Sequence, residues 1–182
     1  MLTESDLNND GMIIRDQRPE DESFIYHSWL QSIWNDQEGL QRKKMKKDYF
    51  FAGHHYLIKN ILPLCEAKVI SQKIDPDHIL GFIVYESNSD AMIYHYLFIK
   101  SVFRKYGLGA LLYHYVEKSY SPQFYTYRNS YSSRFCSQLG LIYNPYLLYT
   151  PERKEILWDI LKKREVIRDT MKRYENISIE YR

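Results

Sequence analysis

Between residues 64 and 99 the chain changes its period, and this constrains its fold more than any other feature. Three short runs, residues 64–70, 79–85 and 92–99, are rich in β-branched and aromatic side chains. Asp75-Pro76-Asp77 separates the first two and Ser87-Asn88-Ser89-Asp90 the second pair. Asp, Asn and Ser bond to their own backbone, and Pro fixes φ and lacks an N–H, so each group ends a strand. Three consecutive strands this closely spaced predict an antiparallel meander. Its apolar faces must then be covered by other layers.

The flanking segments supply helices. Residues 1–10 read as a loose leader and residues 12–15 as a short strand. Arg18-Pro19-Glu20-Asp21-Glu22 opens a helix, with Pro early and acids where the dipole favours them. Phe24, Ile25, Trp29 and Ile33 continue it at near-helical spacing, and Gly39 breaks it. A second helix is expected over residues 40–62, ended by Pro63. After the meander come a helix from Gly107 to about residue 119, a strand over 124–128, a helix over 130–139 ended by Gly140, and a last strand over 141–148. Thr150-Pro151-Glu152 then caps a C-terminal helix whose Ile156, Ile160, Ile167 and Met171 form an apolar stripe. The order β-α-α-β-β-β-α-β-α-β plus that helix predicts an α+β, mixed α/β layered domain. There is no internal repeat.

Composition narrows the function classes. At 182 residues with 45% hydrophobic content the chain can bury a proper core. A net charge of +2 lacks the basic bias of a duplex-binding domain, so no nucleic-acid partner is expected. No apolar run approaches the roughly 18 residues of a membrane span, so no membrane is expected either. Met1-Leu2-Thr3-Glu4-Ser5-Asp6 is acidic and polar where a signal peptide is basic and then apolar. Cys65 and Cys136 lack metal-ligand spacing, which suits a reduced, cytoplasmic setting and no metal. The 18 tyrosines suit half-buried strands, clefts and contact surfaces.

The chemistry is concentrated in Leu97-Phe98-Ile99-Lys100-Ser101-Val102-Phe103-Arg104-Lys105-Tyr106-Gly107-Leu108-Gly109-Ala110. A strand enters a loop with two glycines and leaves as an apolar helix. Glycines let backbone amides approach a ligand, the helix start adds unpaired N–H groups and positive dipole, and Arg104 adds a donor fork. Together these predict an anion site for a phosphate or pyrophosphate. A third glycine is missing, so this is no dinucleotide fingerprint, and no Gly-Lys-Ser/Thr follows, so it is no P-loop.

On these residues the chain resembles the GNAT acetyltransferase family, whose signature is a strand ending Leu-x-Val, a turn, then Arg/Gln-x-x-Gly-x-Gly/Ala. Leu97-Phe98-Ile99 and Arg104-Lys105-Tyr106-Gly107-Leu108-Gly109 match it, with Ser101 where a proline is common. A second family pattern, Asn followed by a small residue, an apolar residue, Tyr and Gly-Phe, falls on Asn129, Ser132, Phe135, Cys136, Gly140 and Leu141. The resemblance spans residues 12–149. It implies a GNAT-like, mostly antiparallel sheet of about six strands flanked by helices, forming an acyl-CoA domain over 1–149. Residues 150–182 would be a helical extension packing on that domain or on a partner.

The resemblance further implies acetyl-CoA as co-substrate and no metal. Amides of Arg104, Lys105, Tyr106, Gly107, Leu108, Gly109 and Ala110 would hold its pyrophosphate. Leu97 and Ile99 would hold the pantetheine, with Asn129 reaching it or the amine, and the strand 124–128 splayed away. Acetyl transfer to a primary amine of a small molecule, peptide or protein needs a base, an acid for the thiolate and an oxyanion donor, here the Leu97 or Ile99 amide. His95 is the expected base, with Tyr94 and Tyr96 as rivals; a half-buried structural histidine is the competing reading. Strand alternation puts His95 with Leu97 and Ile99, and Tyr94 with Tyr96 and Phe98. Cys136 stands where the family carries its acidic Tyr, and is read either as a proton donor or as a small core residue. Tyr131 and Tyr143 are its stand-ins.

Three other features carry bland readings beside sharp ones. His54-His55 do not share a helix face, which argues against a metal pair. The basic run from Arg42 to Lys47 is a solvated helix face or a phosphate contact. The C-terminal stripe packs on its own sheet, or on a second copy or protein partner. The alternative function is a silent GNAT-fold module working through protein contacts.

Overall fold

The computed structural model describes residues 2–36, 46–87, 91–117, 122–128 and 130–148. The expected C-terminal helix and the stretch 37–45 lie outside the described residues. Six strands lie side by side in sequence order: β1 (Met12–Asp16), β2 (Glu66–Gln72), β3 (Ile79–Ser87), β4 (Met92–Ile99), β5 (Gln123–Tyr125) and β6 (Ile142–Tyr143). The first four pair antiparallel, as the turn formers between them require. β4 to β5 and β5 to β6 pair parallel, because each step passes through a helix: α4 (Leu108–Val116) and α5 (Ser130–Gln138). The described residues thus carry a mixed α/β fold with a mostly antiparallel open sheet flanked by helices.

The two faces of the sheet are covered by different helices. Leu7 of α1 (Glu4–Asn9), Leu111 and Leu112 of α4 and Cys136 of α5 pack with Ile70, Ile83 and Tyr94 of the sheet. Trp29 and Ile33 of α2 (Glu22–Asn35) and Ile58 and Ile61 of α3 (Lys47–Ile61) pack with Val69, Phe82 and Tyr96 on the other side. β3 is buried on both faces over Ile79–Tyr85. At Gly81 a Cβ would stand 2.5 Å from Ile99 Cδ1 and 2.6 Å from the Phe98 carbonyl oxygen, so only a hydrogen fits against β4. At the start of α2, Asp21 is buried and ion-paired to Arg15 of β1 at 2.5 Å, while Arg15 also bonds to Pro76 O and Ser71 Oγ.

Two sequence expectations are corrected. The expected loose leader over residues 1–10 is ordered from Thr3 on, because Thr3 and Asp6 form a reciprocal capping box that starts α1, and α1 buries Leu7 completely. The last strand is two residues rather than eight. Pro145 offers no N–H, Asn144 accepts the Tyr146 N–H at 3.1 Å, and the chain turns over Pro145–Leu148. No helix among the described residues is long and apolar enough to cross a membrane.

Candidate functional site

The site is organised by an irregularity in β4. Val84 lies opposite Tyr96 and Tyr85 opposite Tyr94, so His95 is one residue too many for the ladder and forms a β-bulge. A bulge slips side-chain alternation by one place. Tyr94 therefore joins Leu97 and Ile99 on the α4/α5 face, while Tyr96 and Phe98 pack on the α2/α3 face. This overturns the expected grouping of Tyr94 with Tyr96 and of His95 with Leu97. Strict alternation fails because it counts residues that the bulge leaves unpaired.

The bulged His95 is 1% exposed and held from both sides. Its Nε2 lies 2.6 Å from Glu86 Oε1, and its Nδ1 lies 3.1 Å from Thr126 Oγ1. Glu86 follows Val84 by two residues at the end of β3, and its side chain is 22% exposed, so the carboxylate links the buried ring to solvent. Cys65, which ends the turn Leu62–Leu64, points its Sγ at the same Glu86 oxygen across 3.9 Å. Sequence reading missed Glu86, Thr126 and Cys65. The bulge that gathers them has no compositional mark.

The bulge also marks where β4 and β5 separate. Their ladder covers Met92–Gln123, Ile93–Phe124 and Tyr94–Tyr125, followed by one bond from Thr126 N–H to Tyr94 O at 3.0 Å. No described pairing joins them beyond this point, and residues 95–99 run on toward the glycine loop. There Arg104 Nε donates to Ile99 O at 3.0 Å, folding the loop back on its strand. Lys105 and Gly107 both take left-handed φ, at 71° and 82°. A side chain is costly at such angles, by about 1–2 kcal/mol, so glycine is favoured at 107, while Lys105 bears that cost. Gly107 is also the N-cap of α4, its C=O bonded by Leu111 N–H at 3.0 Å. Leu108 is buried and anchors the first turn, Ala110 continues it, and Tyr106 stands exposed beside it. The first N–H groups of α4 have no partner within the helix and face outward with the dipole.

The remaining expected residues are placed as follows. Cys136 is buried on the α4/α5 face, and burial pushes its thiol up to about 11. Tyr96 is stacked on Trp29 at 5.2 Å, and burial holds its phenol well above the usual range. Tyr94 and Tyr113 both donate to Gln123, at 3.2 and 2.6 Å; burial raises both phenols, Tyr113 to about 12. Tyr143 is partly exposed, with the Arg128 guanidinium over its ring. Asn129 and the Tyr131 side chain lie outside what is described. His54 stacks on Phe50 at 4.0 Å and burial lowers its pKa, while His55 bonds to the Tyr26 hydroxyl. These two histidines serve packing and do not converge. Of the basic run, Lys46 and Lys47 are described, and Lys47 lies over the Phe51 ring.

Comparison with known proteins gives structural likeness only. No family model matches the chain, and no curated protein does. Among solved structures, a GCN5-related N-acetyltransferase from Ralstonia eutropha JMP134 is 12% identical, covering 71% of this chain and 92% of its own, with a TM-score of 0.49. A PaiA N-acetyltransferase from Thermoplasma acidophilum, solved with coenzyme A, is 13% identical over 70% and 87%, with a TM-score of 0.46. A ribosomal-protein-alanine N-acetyltransferase from Brucella melitensis biovar Abortus 2308 is 11% identical over 70% and 90%, with a TM-score of 0.44. At these values they assign this chain neither an activity nor a substrate.

Proposed function

We propose that this chain is an acyl-CoA-dependent N-acyltransferase that moves an acetyl group from acetyl-CoA to a primary amine. The observation that carries the reading is the parting of β4 from β5 after Tyr94, continued directly into the left-handed Gly107 turn that opens α4. A strand with a free edge leading to a helix N-terminus suits a ligand with an amide-bearing arm and a pyrophosphate end. In this reading the amides of residues 104–110 and the Arg104 fork take the pyrophosphate. Leu97, Ile99 and Asn129 take the arm.

The amine nitrogen attacks the thioester carbon, the C–S bond breaks, and the Leu97 or Ile99 N–H steadies the oxyanion. Glu86 and His95 act as one base. The amine proton enters through the partly exposed Glu86 carboxylate, and Thr126 orients the imidazole behind it. Cys136, with its thiol pushed up to about 11, gives up a proton less readily than an ordinary thiol, whose pKa is about 8.5. It is therefore read as a packing residue, and Tyr143 as the donor to test. A reducing cytoplasm suits a chain whose two cysteines sit on opposite faces of the sheet, unjoined. The acceptor is a small molecule, peptide or protein, and residues 150–182 are the segment offered to a second copy or a protein partner.

The same Cys136 favours the second reading, a silent module that keeps the fold without turnover. Calorimetric titration with acetyl-CoA, beside an Arg104→Glu, Gly107→Trp double variant, separates the two. Micromolar binding that the double variant loses supports the transferase and justifies an amine screen with Glu86→Gln and His95→Gln. A folded protein that ignores millimolar acetyl-CoA sinks it.

A further inference from the structure

We propose that Cys65, Glu86 and His95 form a three-ligand site for one zinc-class divalent ion. The three come from separate elements: Cys65 from the turn before β2, Glu86 from the end of β3, and His95 from the β4 bulge. Their Sγ, carboxylate oxygen and imidazole nitrogen all lie within 4.8 Å of one another, and the two contacts to Glu86 Oε1 are 3.9 and 2.6 Å. Tetrahedral coordination with metal–ligand bonds of about 2.0–2.3 Å sets donors about 3.3–3.8 Å apart. The trio therefore needs only a small outward turn of Glu86 from His95, and an inward one of Cys65, to close on an ion.

The donor set selects the ion. Thiolate, imidazole and carboxylate together suit a borderline-soft tetrahedral metal rather than calcium or magnesium, which prefer all-oxygen sites. The surroundings match as well. A histidine that binds through one nitrogen is usually fixed by a hydrogen bond from the other, and Thr126 Oγ1 sits 3.1 Å from Nδ1 for that purpose. Glu86 and Cys65 are only partly buried, which gives the ion a way in. Among the described residues the trio supplies three ligands, leaving one tetrahedral position for an exogenous one. On binding, the Cys65 thiol proton passes to solvent, and the proton between Glu86 and His95 moves to Nδ1, where it faces Thr126 Oγ1. The ion thus competes with the acceptor's proton for the same pair. This regulatory consequence rests on the reading of Glu86 and His95 as the base; the metal site itself does not.

Cobalt(II) titrated into the reduced full-length protein tests the site with a readout that needs no turnover. The expected result is one equivalent, with a sulfur-to-cobalt charge-transfer band and visible bands of tetrahedral intensity, both bleached by zinc. Cys65→Ser should abolish the charge-transfer band, Cys136→Ser on the opposite face should keep it, and Thr126→Val should weaken cobalt binding about tenfold or more. A folded wild type without the band, or a band that survives Cys65→Ser or is indifferent to His95→Gln, overturns the site. If the chain turns over, the zinc concentration that halves the rate should rise more than tenfold in Cys65→Ser. Turnover indifferent to zinc, at concentrations that bleach cobalt, overturns the regulatory part. An inactive chain that still binds cobalt supports the metal site and counts against the transferase.

Discussion

The two faces of one sheet have been put to different uses. On the α4/α5 face the polar groups are turned on one another: Tyr94 and Tyr113 share Gln123, and Cys136 lies in an apolar wall that suppresses its ionisation. On the α2/α3 face His95, Glu86 and Cys65 remain within reach of each other and, through Glu86, of water. The first face builds a support for the glycine loop, and the second keeps groups that exchange protons or bind ions. One inserted residue, His95, makes the division. The ladder leaves it unpaired, and its ring meets Glu86 at the end of β3.

The comparison breaks if one face contributes little to folding. Phe82→Ala on the α2/α3 face should cost about 4 kcal/mol, and Leu112→Ala on the other about 3 kcal/mol, because both side chains are completely buried. Urea unfolding would measure both, and a loss below 1 kcal/mol at either site would show that face to be loosely packed. Next in size is Asp21, which pins the start of α2. Burial works to raise its pKa, but hydrogen bonds from Arg15 and from the Arg18 N–H outweigh this, and the net shift is downward. A lowered carboxyl stabilises the fold above its unfolded pKa of about 3.9, and that contribution is lost as pH falls through the lower folded value. Asp21→Asn should cost about 3 kcal/mol at pH 7 by leaving Arg15 buried without its partner. The variant should also lose part of the wild type's acid sensitivity below about pH 4. Equal acid sensitivity in the two proteins would remove Asp21 from this role.

A backbone contact ranks third. Gly81→Ala would drive a methyl into the Phe98 carbonyl and the Ile99 side chain, at a cost of about 2 kcal/mol. Those residues lead into the loop, so acetyl-CoA titration should show weaker binding as well. Unchanged melting in Gly81→Ala would mean that β3 and β4 yield there readily.

Much of this architecture was legible because its causes are local. Turn formers placed the meander, and the spacing of Arg104, Gly107 and Gly109 placed the loop at the start of α4. What stayed hidden was set by pairing rather than by residue type. Nothing in Met92–Ile99 marks His95 as the residue that the ladder skips; that depends on β3 meeting Tyr94 and Tyr96 on successive residues. Glu86 and Cys65 stand nine and thirty residues before His95, in an order that fits no ligand spacing, and only the sheet brings them together. The capping box of Thr3 and Asp6 has a sequence mark, Thr followed three residues later by an acid, but the six-residue helix it starts is too short to show a period.

The smallest expected effect separates two glycines that look equivalent in sequence. Gly107 sits at φ 82°, so Gly107→Ala should cost about 1 kcal/mol and, by shifting the amides of the turn, reduce acetyl-CoA affinity. A Cβ on Gly109 would meet only Leu97 Cδ2 at 3.5 Å and Ile99 Cγ1 at 3.9 Å, which are ordinary contacts, and its φ is not left-handed. Gly109→Ala should therefore fold at least as stably as wild type, with a gain of up to about 0.5 kcal/mol from helix propensity. It should also bind acetyl-CoA within about threefold of wild type, a difference of about 0.7 kcal/mol. Thermal melts and titration of the pair decide which property the loop requires. Loss of binding in Gly109→Ala at full stability would mean that a ligand passes closer to α4 than the turn alone implies. The α4 face would then be a contact surface as well as a support.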